Sequence, residues 1–386
     1  MSKIGLLPRI VIAIVTGLLL GMVFPSGLVR IFVTFNSIFA SFLFFCIPLI
    51  ILGMVAPGIA DLGKNAGRLL ALTALIAYGS TLFAGFLTFF TCSTVFPFLI
   101  ETGATAVEVE NPANALLKTY FTIEIAPVFG VMTALVLAFV LGTGIAVTKG
   151  ETLKMALNEF KNIIQKVIST IIIPLLPVYI FGIFLNMSNA GTAFYVIKIF
   201  GKIIIVVLLL HIVVILLQYG IAGLVAKRNP FRLLLNMLPA YVTALGTASS
   251  AATIPVTLRQ AKKNGISDDV VDFCIPLCAT IHLAGSTITI AAMTFAVCML
   301  TGLNYDIAIF AGFIMMLGVI MVAAPGVPGG AIMAATGLLH SMMGFDEAAV
   351  GLMIALYIAI DSFGTACNVT GDGAIAVIVS KIRNIS

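Results

Sequence analysis

The sequence predicts an all-α integral membrane protein with eight transmembrane helices and two re-entrant helical hairpins arranged as inverted repeats. Three observations lead there. Of 386 residues, 61% are hydrophobic and only 9% charged, with mean hydropathy +1.21, a composition no soluble domain carries. Apolar runs of spanning length recur along the whole chain. Two of these runs are broken at their centres, and each is followed by an intact run, the mark of an inverted repeat with a midplane site.

Ordinary spans are expected at about 10–24, 31–55, 69–100, 126–147, 163–185 and 203–225. About 20 apolar residues suffice to cross a bilayer, and longer runs must tilt or emerge. The first run resembles a signal peptide in length, but no clear small-residue cleavage site follows it, so it reads as a span. Lys3 and Arg9 precede the first span, and Lys64 and Arg68 follow the second. Lys149, Lys154, Lys161 and Lys166 follow the fourth as a loop, and Lys227, Arg228 and Arg232 follow the sixth. The opposite loops are acidic or sparsely charged, so the positive-inside rule puts the N-terminus in the cytoplasm. The acidic loop 101–112 is the expected flexible connection.

The run 233–260 is interrupted by GTASSAATIP and returns to Arg259, Lys262 and Lys263 on the basic side, as a re-entrant hairpin does. Such backbone survives at membrane depth only when buried in protein or lining a cavity. A clean span is expected at 270–300. The run 307–339 is interrupted by APGVPGG and flanked only by acidic residues, which suggests a second hairpin entering from outside. The last span, 348–379, returns to Lys381 and Arg383 in the cytoplasm.

That last span carries the chemistry. Asp361 and Asp372 are the only acidic residues well inside an apolar run. At ~100° per residue, Thr365, Asn368 and Asp372 lie within ~40° of Asp361. A charge in hydrocarbon costs at least ~2.5–3.5 kcal/mol, so this stripe needs a partner or a polar cavity. A ligand and ion pathway is the expectation, with a satisfied core network as the alternative. The first tip, around Ser249, Ser250 and Thr253, offers hydroxyls and free amides for an anion, the alternative being small-residue helix packing. The second tip, Gly326, Val327, Pro328, Gly329 and Gly330, offers bare carbonyls suited to Na⁺, the alternative being a kinked helix.

Cys274, Cys278 and His282 fall at i, i+4 and i+8, but three ligands on one straight helix cannot close a tetrahedron round a metal. His282 reads instead as a neutral hydrogen-bonded group near the stripe, with proton coupling a secondary expectation. His211 and His340 read as ordinary. The six cysteines lie in apolar runs and read as reduced core residues. The net charge of +5 sits between spans and is no nucleic-acid signature. Neither a nucleophile triad nor a phosphate loop is present, so the chain is not expected to be an enzyme.

Four stretches, SSAATIPVTL (249–258), PLCATIHLAGSTITI (276–290), GVPGG (326–330) and DSFGTACNVTGD (361–372), together resemble the dicarboxylate/amino acid:cation symporter family, which has the glutamate-transporter fold. The likeness covers the C-terminal half in order; the N-terminal half matches only in number of spans. The motifs are most similar to the sodium/serine-threonine symporter branch. The resemblance implies a homotrimeric elevator in the cytoplasmic (inner) membrane. A scaffold (1–62 and 113–196) would stay fixed, and a transport domain (63–112 and 197–386) would move, with hairpins at about 231–264 and 305–345. It implies that Asp361 binds a substrate ammonium. Ser249, Ser250, Ser286, Asn368, Gly326, Val327 and Gly330 would surround the substrate, and Thr365 would face its side chain. Asp372, Asn368 and the Cys278 carbonyl would hold one Na⁺, the transported coupling ion, with His282 beside them; Thr280 and the second hairpin would close over another. Partners are then a small-molecule substrate, membrane lipid and two further copies of the chain, with no nucleic acid.

The departures point to substrate. Acidic-substrate members carry arginine where this chain has Gly364, and a second can come from the position of Ala248; no Arg lies between Arg259 and Arg383. Small neutral amino acids, serine and threonine first, are therefore expected. The rivals are a Na⁺- or H⁺-coupled dicarboxylate or acidic amino-acid symporter and a passive anion pore. The NMDGT-type motif reads His282-Leu283-Ala284-Gly285-Ser286, so the third sodium site is expected to be lost, the first is put in question, and fewer coupled ions should move.

Overall fold

The computed structural model describes residues 6–64, 68–100, 117–191, 193–322, 324, 326 and 328–383. Among them all regular structure is helical. Six helical stretches are long and apolar enough to cross a membrane: Ser26–Pro57, Leu69–Leu99, Glu151–Asn189, Lys198–Ala226, Asp268–Thr301 and Glu347–Arg383. The acidic loop 101–112 lies outside the described residues.

The first helices form one packed group. Helix α1 (Leu6–Gly21) crosses α6 (Ile173–Asn189) at Gly17, where a Cβ would stand only 2.8 Å from the Phe181 carbonyl oxygen. Helix α2 (Ser26–Lys64) packs on α4 (Val131–Thr148) and on α6. The expected span 126–147 starts late: residues 117–130 are not helical. Pro127 lacks an N–H and biases Ala126 away from helix. Two clamps secure this strap. Arg30 donates to the Lys118 and Thr119 carbonyls at 3.0 and 3.3 Å, and the Leu117 N–H donates to Asn186 Oδ1 at 3.0 Å.

The lysine-bearing loop expected after α4 is instead a helix. Lys149 ends α4 at φ 56°, and Lys154, Lys161 and Lys166 lie on α5 (Glu151–Val167). Leu157 and Ile164, seven residues apart, are the buried face, with Ile164 and Phe160 against Gly53 of α2. A π-turn, Ile168–Ile172, joins α5 to α6 without interruption. The Ile173 N–H reaches back five residues to the Ile168 carbonyl; the wider turn accommodates Pro174, which has no N–H to give.

The remaining helices wrap α14 (Glu347–Arg383), which is buried almost throughout from Val350 to Val379. It packs against α3 (Arg68–Leu99), α7 (Ala193–Ala226), α8 (Pro230–Thr247) and α9 (Ser250–Lys262). Helices α8 and α9 fold back on each other through Ala248, at φ 47°, and Ser249, which caps α9 by accepting from the Ala252 N–H at 3.2 Å. Helices α12 (Ile307–Met321) and α13 (Gly330–Ser341) form the second broken pair. Asp306 caps α12 by accepting from the Ile309 N–H at 2.9 Å, which holds its carboxyl below the usual carboxylate range.

The expectation of a clean span at 270–300 is corrected. It is two helices, α10 (Asp268–Ile281) and α11 (Ala284–Thr301), separated by His282 and Leu283 in non-helical conformations. The unwinding has a cause across the interface. Gly285 lies directly on the Gly364 backbone of α14, where any Cβ would strike the Gly364 carbonyl. The freed amides of Gly285 and Ser286 find a side-chain acceptor on α14.

Candidate functional site

The four stripe residues of α14 are all inside the protein. Asp361 and Thr365 are 5% exposed, Asn368 and Asp372 1%. Asp361 meets the second broken pair at Gly329, Thr365 turns back to Asp361, and Asn368 and Asp372 both meet the α10–α11 break, through Gly285, Ser286 and His282.

At Asp361 the partner is the second tip. Gly329, at φ +74°, donates its N–H to Asp361 Oδ2 at 2.7 Å. That backbone conformation suits glycine, and it turns an amide at the start of α13 toward a carboxylate, the favourable sign for a helix N-terminus. Thr365 Oγ1 donates to Asp361 Oδ1 at 3.5 Å. Gly330, the next residue, is buried and opens α13. Val327 lies outside the described residues.

The two tips touch each other. Ser249 Oγ donates to the Gly326 carbonyl at 2.7 Å, and a Cβ on Gly326 would lie 3.5 Å from that of Ala251. Ser250 is 4% exposed at the first turn of α9. Small side chains allow this approach; bulkier ones would hold the helix ends apart.

Asn368 is the organiser of the α10–α11 break. Its Oδ1 accepts from the Gly285 N–H at 2.7 Å and the Ser286 N–H at 3.3 Å. Its Nδ2 donates to Ser286 Oγ at 3.0 Å, which also accepts from the Tyr357 hydroxyl at 3.0 Å. On the other side of the break, His211 Nε2 is 3.0 Å from the Gly285 carbonyl and 3.2 Å from Thr289 Oγ1.

At Asp372 the partner is His282. Its Nδ1 lies 3.0 Å from Asp372 Oδ1, and the ring is fully buried. Its Nε2 lies 3.1 Å from Ser80 Oγ of α3, which accepts from Gln218 Nε2 of α7 at 2.9 Å. Both ring nitrogens are thus engaged. Asp372 Oδ2 is buried with no hydrogen-bond partner. That free anionic oxygen fits a small hard cation.

The remaining predicted residues separate from this group. Thr280 is exposed and its hydroxyl donates to the Leu277 carbonyl at 2.8 Å; no described hydrogen bond joins it to the stripe. The Cys278 carbonyl accepts the His282 N–H at 2.8 Å, so it borders the break through its backbone while its thiol is buried. Among the described residues, lysine and arginine ion pairs lie at the ends of α9, α10 and α14, through Lys262 and Arg383. Among the described residues neither Asp361 nor Asp372 is paired with a permanent protein cation.

Four participants escaped the sequence reading: Ser80, His211, Gln218 and Tyr357. Two carried a signal. His211 and Gln218 are seven apart in the apolar run LLLHIVVILLQYG, hence on one face of α7. The chemistry available is recognition, through buried negative charge, tip amides and hydroxyls.

The chain is similar to "Serine/threonine transporter SstT" of Streptococcus suis (strain 05ZYH33), 28% identical over 345 residues that cover 86% of this chain and 94% of that protein. The model of the sodium:dicarboxylate symporter family matches residues 6–382. With that match running through the helices that build the site, the chain belongs to the sodium:dicarboxylate symporter family, whose members are multi-pass membrane transporters and not enzymes.

Proposed function

We propose that this chain is a Na⁺-coupled symporter importing small neutral amino acids, serine and threonine first, across the cytoplasmic (inner) membrane. The observation that carries the reading is Asp361, a buried carboxylate beside a glycine tip with no Lys or Arg partner. An α-ammonium is the cation that suits it. Amides at the Ser249–Ser250 tip and the Asn368 side chain would take the α-carboxylate, with Ser286 and the Gly326–Gly330 tip around it, and Thr365 would face the side chain. Na⁺ would be held at Asp372, whose Oδ2 has no donor, near Asn368 and the Cys278 carbonyl. Thr280 and the second hairpin would border a further ion.

The substrate class follows from what α14 lacks. At Gly364 a Cβ would point at the Gly285–Ser286 backbone, 3.5 Å away, so an alanine-sized group is the most that fits. A planar fork for a second carboxylate is therefore missing, which disfavours the dicarboxylates that give the family its name.

Movement would be of the elevator type in a homotrimer. Residues 1–62 and 113–196 would form the fixed scaffold, and 63–112 and 197–386 the moving unit, with hairpins at about 231–264 and 305–345, both termini in the cytoplasm and lipid around the whole. Na⁺ and amino acid would raise each other's affinity equally, since coupling is reciprocal. The deciding experiment is labelled serine uptake into proteoliposomes, competed by unlabelled alanine, threonine, aspartate or succinate, with and without Na⁺. Accumulation against a gradient, competed by alanine and threonine only with Na⁺ present, is expected. Competition by succinate or aspartate would replace the substrate assignment, and uptake that never exceeds equilibrium would indicate a pore.

A further inference from the structure

We propose that Gln218 is a sodium-coordinating residue, its side-chain oxygen completing with Asp372 Oδ2 a cation site between α7 and α14, while His282 acts as the donor that orients Asp372. The inference rests on the Na⁺-coupled reading above and adds a ligand from a helix outside the family-like motifs.

The hydrogen bonds around His282 run in one direction. An ionised Asp372 only accepts, so His282 Nδ1–H donates to Oδ1 across 3.0 Å. With Nδ1 donating, Nε2 faces the Ser80 hydroxyl at 3.1 Å as an acceptor. Ser80 in turn accepts from Gln218 Nε2 at 2.9 Å. Donors are used up along this chain. What is left is acceptors: Asp372 Oδ2 and Gln218 Oε1 are both buried and, among the described residues, without a hydrogen-bond partner. The residues are 1% and 8% exposed.

Their placement is local. A Cβ on Gly371, the residue before Asp372, would lie 2.6 Å from Gln218 Oε1 and 2.6 Å from His282 Cε1. Gln218 therefore sets its oxygen against the α14 backbone at Gly371, the residue before Asp372, and glycine there is what admits it. Two bare oxygens, one charged, cost free energy in the interior unless a cation joins them. Asn368 Oδ1, by contrast, already accepts two backbone amides, and both His282 nitrogens are engaged. A small hard ion that takes oxygen ligands fits what remains.

The test uses the purified full-length protein and needs no amino acid. Melting temperature is followed while NaCl replaces choline chloride at constant ionic strength, with LiCl and KCl as comparison salts. Wild type is expected to be stabilised by Na⁺. Gln218→Leu should raise the half-maximal Na⁺ concentration by about tenfold or more, the scale on which metal sites respond to a lost neighbour. Ser80→Ala removes the partner shared by the Gln218 amide and His282 Nε2 but no oxygen offered to the cation, so it should move that midpoint by less than the Leu variant does. Gln218→Glu, which keeps the oxygen and adds charge, should lower it. A Leu variant with the wild-type midpoint, or a Ser80→Ala shift as large as the Leu shift, overturns the Gln218 assignment alone. If the Leu variant does not fold, the Glu variant decides: an unchanged or higher midpoint overturns the assignment. A wild type with no Na⁺-specific stabilisation overturns it together with the sodium reading.

Discussion

The pair of aspartates on α14 sets the residue-scale expectations. Asp361→Asn keeps the shape and can still accept the Gly329 N–H, but it removes the charge that an ammonium would meet. Losing one partner of a buried charge pair costs ~2–5 kcal/mol, so amino-acid uptake should fall by about 30-fold or more; normal uptake by this variant would remove the ammonium assignment. Asp372→Asn leaves an oxygen for His282 but no negative charge for Na⁺. The Na⁺ concentration for half-maximal uptake should rise at least ~10-fold; an unaltered Na⁺ curve would place the ion elsewhere. The stripe itself was legible, because four polar residues on one helix share a face whatever surrounds them. Ser80 was not, and the seven-residue spacing of His211 and Gln218 marks only a shared face of α7: their partners lie on other helices, and no periodicity encodes a contact between α3, α7, α10 and α11.

At the scale of elements, two glycines in one contact make opposite predictions. A Cβ on Gly285 would meet the Gly364 carbonyl and, at 2.6 Å, the Cys367 Cβ. Backbone cannot yield as a side chain can, and overpacking of this kind costs ~1–3 kcal/mol. Gly285→Ala should therefore lower the melting temperature and impair uptake, whereas Gly364→Ala, whose nearest contacts are 3.5 Å away, should be tolerated. Equal melting temperatures for the two would mean the break is not held by this crossing. The interruptions between α8 and α9 and between α12 and α13 were readable from Gly, Pro, Ser and Thr clustered mid-run. The break at His282–Leu283 was not: HLAGS holds only one glycine and no proline, and the chain unwinds there because Asn368 and Gly364 on another helix make it favourable. The amphipathic α5 was also missed, since charge counting treats lysines on a helix and in a loop alike.

Over the whole molecule, the early helices and α14 meet along a thin apolar surface. A small cavity there is lined by Leu43 and Ile47 of α2, Tyr179 of α6, Met333 and Thr336 of α13, and Val350 of α14. In an elevator this surface must slide. With the six native cysteines replaced, a Leu43→Cys/Thr336→Cys pair should be bridged by Hg²⁺, and bridging should stop uptake until thiol is added. Bridging without loss of uptake would show that the two groups stay together during transport. Native mass spectrometry of the detergent-purified protein should give three chains; a monomer active in vesicles would retire the trimer. Composition made the membrane class plain, but the division into fixed and moving parts came only from family likeness, because hydropathy is the same on both sides of a sliding contact.

The Gly329–Asp361 hydrogen bond joins two events usually drawn as separate. On the proposed reading one carboxylate would both attract an incoming amine and, through the Gly329 amide, tether the loop over it. Partial neutralisation by the amine weakens its pull on the amide, so a bound amino acid must itself help grip the loop for the cover to stay shut. Amines without an α-carboxylate should therefore enter and leave without being carried, and selectivity would arise from which guests can fasten the door as well as from which can reach the room.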